Sequence, residues 1–126
     1  MNGGTLLYRQ VNPSWVQQGR VTSQVFKPTP KDNRCLSVYD GDQVTAPQAW
    51  LHYTSELGFA SVGVLAVTVA ECEALDLPAK PDPEPFRAHA VISFEACASS
   101  QIEKKAKHLR SHAEARGWQH QAEPGA

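Results

Sequence analysis

Cysteine is scarce: Cys35, Cys72 and Cys97 are the only three in 126 residues. An odd number at wide spacings makes no disulfide framework, and no pair stands at the two-residue spacing of a zinc knuckle. Each lies in an apolar stretch (CLSVY, AECEAL, FEACA), where cysteine acts as a small buried hydrophobe. A reducing compartment is therefore expected. Long hydrophobic runs are missing too. The most apolar one, Phe59 to Ala70, spans twelve residues, well short of the ~20 that a membrane helix requires. The opening MNGGTLLYRQ has neither the charged start nor the apolar core of a secretory leader, so a cytoplasmic location is expected. Charge of one sign is absent as well. A formal charge of −1 and a pI near 6.5 provide no global basic field to attract nucleic acid. The glycines are scattered and form no G-x-G-x-x-G or phosphate loop, and no serine sits in a G-x-S-x-G elbow.

What remains has the composition of a folded protein. Hydrophobic residues make up 41% and charged residues 20%, which excludes wholesale disorder and leaves a length suited to one domain. LLYRQV, Leu6 to Val11, reads as a first strand closed by Asn12-Pro13. Trp15 to Gly19 is expected as a helical turn or loop, and Val21 to Phe26 as a strand stopped by Pro28 and Pro30. Cys35 to Tyr39 is the next strand, turned by Asp40-Gly41-Asp42.

The clearest element follows. Thr45 and Gln48 form a capping box with Pro47 in the tolerant first turn, and Ala46, Ala49, Trp50, Tyr53 and Leu57 recur at helical spacing up to the Gly58 cap. Phe59 to Val69 reads as a strand buried on both faces. A short helix capped by Thr68 and Glu71 runs to about Asp76. Pro78, Pro81, Pro83 and Pro85 then impose an extended connection. In Ala88 to Phe94, alternation sets Ala88, Ala90, Ile92 and Phe94 on one side and His89, Val91 and Ser93 on the other. Ser99 or Ser100 opens a last helix to about Arg116, with Ile102, Ala106, Leu109 and Ala113 as its buried stripe and Gly117 as its stop. The expected fold is a single α+β domain over residues 1–126: a mixed sheet of about four to six strands packed by two main helices and one short one, with 118–126 a frayed tail.

Charge is placed unevenly. Residues 46–97 hold seven acidic and two basic side chains, whereas the segments on either side are each basic by two. Two clusters result: Arg20, Lys27, Lys31 and Arg34 in the loop region, and Lys104, Lys105, Lys107 and Arg110 on the last helix. Both are candidate contact surfaces for an acidic partner. His108 and His112, four apart on that helix, supply half of a metal site and no third ligand, so no metal is expected. His89 is the histidine best placed on a strand beside an open sheet face, where a histidine more often serves structure than catalysis.

One order of residues resembles the ADP-ribosyltransferase layout. Arg9 lies in the first strand, Ser37 and Tyr39 in the next apolar strand, and Glu95 ends a late one. The resemblance implies an NAD site in which Arg9 holds the pyrophosphate, Ser37 positions the nicotinamide ribose and Glu95 stabilises charge at the anomeric carbon. The leading expectation is different: a small non-catalytic protein–protein interaction module within a larger complex. Its partner is an acidic protein surface or a second copy of the chain. It needs no cofactor, NAD belonging only to the enzyme alternative, and weak nucleic-acid binding stands third.

Overall fold

The computed structural model describes residues 1–29 and 33–122. Six strands form one sheet: β1 (Leu6–Gln10), β4 (Cys35–Asp40), β5 (Gly63–Thr68), β6 (Ala79–Pro81), β7 (His89–Ser93) and β8 (His120–Gln121), in the order β6-β7-β4-β1-β5-β8. A small ribbon pairs β2 (Val16–Gln17) with β3 (Arg20–Val21). Three helices, α1 (Ala46–Leu51), α2 (Val69–Glu73) and α3 (Ser99–Arg116), complete an α+β domain. Every pairing is antiparallel, a narrower arrangement than a mixed sheet.

Side-chain alternation divides the interior into two cores. Leu7, Leu36, Val38, Leu65, Val67, Ala90 and Ile92 point to one face, where α3 presents Ala106, Leu109 and Ala113 and α2 presents Cys72. Burial pushes the Cys72 thiol up to about 12, with the Glu71 and Glu73 charges adding to it, so this cysteine is an inert packing group. Tyr8, Tyr39, Val64 and Ala66 point to the other face, where α1 lays Ala46 and Ala49. Because β5 feeds both cores, its run is continuously apolar rather than alternating.

Several local expectations hold for a local reason. Thr45 and Thr68 each accept from the backbone N–H three residues on, and Gln48 and Glu71 return the bond to the cap N–H at 2.9 and 2.8 Å. Gly58 at φ 75° and Gly117 at φ 90° end their helices. Other expectations need correction. Val21–Phe26 is not a strand: after Val21 the chain turns into a 3-10 helix, Ser23–Phe26, that buries Val25 and Phe26. The buried strand starts at Gly63, not Phe59, and the Phe59 side chain is 56% exposed. Leu57 leaves the buried stripe because α1 continues as a π-helical turn, His52–Glu56, in which Leu57 N–H donates to His52 O five residues back. That extra residue per turn rotates Leu57 outward. Within the tail expected at 118–126, β8 pairs with β5 at Gly63–Gln121 and Val64–His120, and residues 123–126 lie outside the described residues.

Glu71 ties three elements together. Besides capping α2, it accepts two 3.0 Å bonds from Arg116 of α3, whose guanidinium also donates to Ala66 O of β5, and it lies 3.2 Å from His112. Burial alone would raise its carboxyl; the Arg116 and Thr68 hydrogen bonds and the Arg116 and His112 charges outweigh that and hold it below the ordinary value of 4.5. A depressed folded-state pKa stabilises the fold above the ordinary range and is lost as pH falls through the folded value. Glu71→Gln keeps the capping box and removes the charge. The expected result is a loss of about 1–2 kcal/mol at neutral pH, between surface and buried values for charge-assisted bonds. The loss should shrink as denaturation curves are repeated below pH 4.5.

Candidate functional site

The second face of the sheet is only partly roofed. α1 packs on β1, β5 and β8, and beside it the sheet opens into a cavity of about 370 Å³. Tyr8 and Gln10 of β1, Ser37 and Tyr39 of β4 and His89 of β7 form its floor. One wall is the π-turn with His52 and Tyr53, against which Phe86 from the proline-rich connection packs; Leu57 and Phe59 form the rim. The π-turn that sequence periodicity does not reveal is thus what carries His52 over the sheet.

Phe86 is the hub of the wall, with ring centroids 5.0 Å from Tyr39, 4.6 Å from His52 and 5.3 Å from His89. The Tyr39 hydroxyl is 2.7 Å from His52 Nδ1, and His52 Nε2 is 3.4 Å from a Glu56 carboxylate oxygen. Burial, followed by the neighbouring Tyr53 and Glu56, drives the Tyr39 phenol well above its ordinary value. The Glu56 carboxylate only accepts, so in the neutral ring Nε2 carries the proton that faces it and Nδ1 accepts from the Tyr39 hydroxyl.

β1 and β4 pair only at Leu7–Asp40 and Tyr8–Tyr39 and then splay. Gln10 and Ser37, the positions that would continue this register, both line the cavity. Gln10 is 5% exposed. One end of its side-chain amide meets Ser61 Oγ at 2.8 Å, and the other end is buried with no hydrogen-bond partner among the described residues.

At the cavity's edge stands a second cluster. His89, 8% exposed, has Nε2 3.1 Å from Ser37 Oγ; its Nδ1 is 2.8 Å from Asp82 O and 3.5 Å from Asp82 Oδ2. Ser37 and His89 also line an open hollow with Asn33, Cys35, Lys80, Asp82 and Val91. In that hollow, burial and the hydrogen bond to Glu95 raise the Cys35 thiol above its ordinary value, so it is held as a thiol.

The residues expected at sites are mostly engaged elsewhere. Lys27 pairs with Glu103 at 2.9 Å, Arg20 with Glu114 at 3.8 Å and Arg110 with Glu114 at 3.2 Å. Arg34 donates to Cys97 O and Ser99 Oγ. The basic loop and the basic helix therefore lie against one another, their charges partly met by glutamates of α3. Lys31 falls outside the described residues. Lys104 and Lys107 are exposed and Lys105 half-buried. Of the ADP-ribosyltransferase-like triple, Arg9 donates to Val25 O and Ser37 O and lies over Trp15, the Ser37 hydroxyl meets His89, and Glu95 accepts from Cys35. His112 faces Glu71, and no group of three or more metal-ligating side chains occurs among the described residues.

Asp82, Gln10, His52 and Phe86 have no sequence signal of their own. Alternation already sets His89 on the side away from Ile92, and that is the one signal from which this face could be found. No protein-family model, curated protein or solved structure matches the chain. No helix among the described residues is long and apolar enough to cross a membrane.

Proposed function

We propose that the chain is a small binding module whose ligand occupies the aromatic cavity on the second face of the sheet. This departs from the expected protein–protein module: of the eight basic side chains expected at its surface, Arg20, Lys27, Arg34 and Arg110 are engaged within the fold, and the cavity is the better-formed site. The ligand is compact and mostly apolar and carries one hydrogen-bonding group. The observation that carries the reading is the cavity itself, walled by Tyr, Phe and His rings, with the Gln10 amide beside it left with one end unpartnered among the described residues. A buried unmet polar group costs roughly 1–3 kcal/mol, which a complementary ligand group would recover. A volume of about 370 Å³ lies at the small end of ligand sites, and a mostly apolar lining with few polar groups is their usual chemistry.

The test is a titration of the labelled protein with small aromatic amides, followed by nuclear magnetic resonance. Saturable shifts are expected at the Gln10 side-chain amide and at Tyr8, Tyr39 and Phe86. Gln10→Met should weaken binding about tenfold, the worth of one good hydrogen bond, while Ser61 keeps its bond to Gly63 O. Affinity unchanged in the Gln10→Met protein, or shifts confined to another surface, would refute the reading.

A further inference from the structure

We propose that Ser37 is a nucleophile with His89 as its general base, and that the site cleaves carboxylic esters whose acyl group fills the aromatic cavity. This rests on the binding reading above and adds a reaction to it. The constellation required is a hydroxyl within hydrogen-bond reach of a base that is itself oriented by a third group. Ser37 Oγ at 3.1 Å from His89 Nε2 meets the first condition. Asp82 meets the second, because both atoms near Nδ1, its carbonyl oxygen and Oδ2, are acceptors. Nδ1 therefore carries the proton, and Nε2 presents its lone pair to the Ser37 hydroxyl. That is the tautomer a general base needs. Exposure is divided to match: Ser37 is open to an incoming group, and His89 is buried behind it against Phe86.

The two hollows that share Ser37 and His89 supply the two sides of an ester. The aromatic cavity suits an apolar acyl group. The open hollow, with Asn33, Lys80 and Asp82, suits a polar alcohol leaving toward solvent.

The chemistry closes without a cofactor. Ser37 Oγ bonds to the ester carbonyl carbon as its proton passes to His89 Nε2, and the carbonyl oxygen takes the negative charge. When the carbonyl re-forms, the C–O bond to the alcohol breaks and His89 returns the proton to the departing oxygen, leaving acyl-Ser37. Water then gives a proton to His89 and adds its oxygen to the acyl carbon. Ser37 leaves with that proton, and the carboxylic acid is released.

The experiment uses the full chain with two probes, an alkyl fluorophosphonate and p-nitrophenyl butyrate. Intact-mass and peptide analysis should find one phosphonyl group on Ser37, and ester turnover should release p-nitrophenolate. Ser37→Ala should abolish both. His89→Gln should slow labelling by about a hundredfold or more, the usual share of a general base, and remove the pH dependence of the labelling rate. His89 is buried, so Asp82→Asn provides a second variant. It keeps the carbonyl contact and should slow labelling by about tenfold or less, less than loss of the base does. Modification of a different residue, or Ser37 labelling that stays at the wild-type rate in a folded His89→Gln protein, would overturn the proposal. Butyramide separates the two readings. Cavity shifts with butyramide but no label on Ser37 refute the reaction and leave binding intact, whereas neither shifts nor label removes both.

Discussion

Phe26→Ala is expected to cost about 3–5 kcal/mol, the range for truncating a buried aromatic. Phe26 is 0% exposed, yet it belongs to a short 3-10 helix rather than to the sheet or a long helix. Neighbouring contacts fix that turn from several sides. Arg9 Nε donates to Val25 O at 2.7 Å, and Glu103 of α3 takes both the Ser23 hydroxyl and the Lys27 ammonium. With its backbone held, the turn cannot collapse into the space the ring leaves, which puts the cost in the upper part of the range. Against a total stability of roughly 5–15 kcal/mol this is a large fraction, and the melting temperature should fall by roughly 10–20 °C. Trp50→Ala should cost less, because Trp50 is only half-buried, resting on His120 with its indole N–H on Ser61 O. Urea denaturation of both variants checks the ranking. A Phe26→Ala loss below 1 kcal/mol would mean that the turn does not contribute to the first core.

The second large effect is expected at Gly63→Ala. A Cβ built there would stand 2.6 Å from His120 O and 2.9 Å from two carbons of the Trp118 ring. One of these is backbone, so no rotamer change relieves the contact. The expected result is separation of β8 from β5 with a loss of about 1–3 kcal/mol, as for overpacking elsewhere. The damage should be local. Gln119 N–H and Ala122 N–H, which bond to Val64 O and Val62 O, should lose at least tenfold in hydrogen-exchange protection while β4 and β7 amides keep theirs. Uniform loss across the sheet would instead mean that β8 is part of the global folding unit.

Elements specified by neighbours in sequence were readable from the sequence. The Thr45 and Thr68 caps each need one partner three residues away, and the stripe Ala106, Leu109 and Ala113 follows from helical period alone. The misread segments depend on distant groups. Val21–Phe26 has strand composition, but Arg9 and Glu103 hold its second half as a turn. Leu57 matches helical spacing only if every turn is an α-turn, and periodicity cannot report a π-turn. The candidate site was less visible still. Ser37 and His89 meet because β4 and β7 adjoin in one register, Tyr39 opposite His89 and Ser37 opposite Val91, and a one-residue slip would part them. Asp82 is hidden among prolines whose composition suggests only an extended connection. The basic residues stood out as a cluster because the sequence does not display which of their glutamate partners lie across the fold.

The two outer strands bear on how this protein behaves when crowded. An open antiparallel sheet ends in unpaired N–H and C=O groups, each row a template onto which another chain can add. Here β6 is three residues long, carries an exposed Lys80 and ends at Pro81, which has no N–H to offer. At the far side β8 contributes two residues. A docking strand would find a charge and a missing donor at one end of the sheet and little length at the other. Growth of the sheet from copy to copy is thereby discouraged at both borders, so the apolar strands between them can stay rich in valine without becoming a seed for fibres.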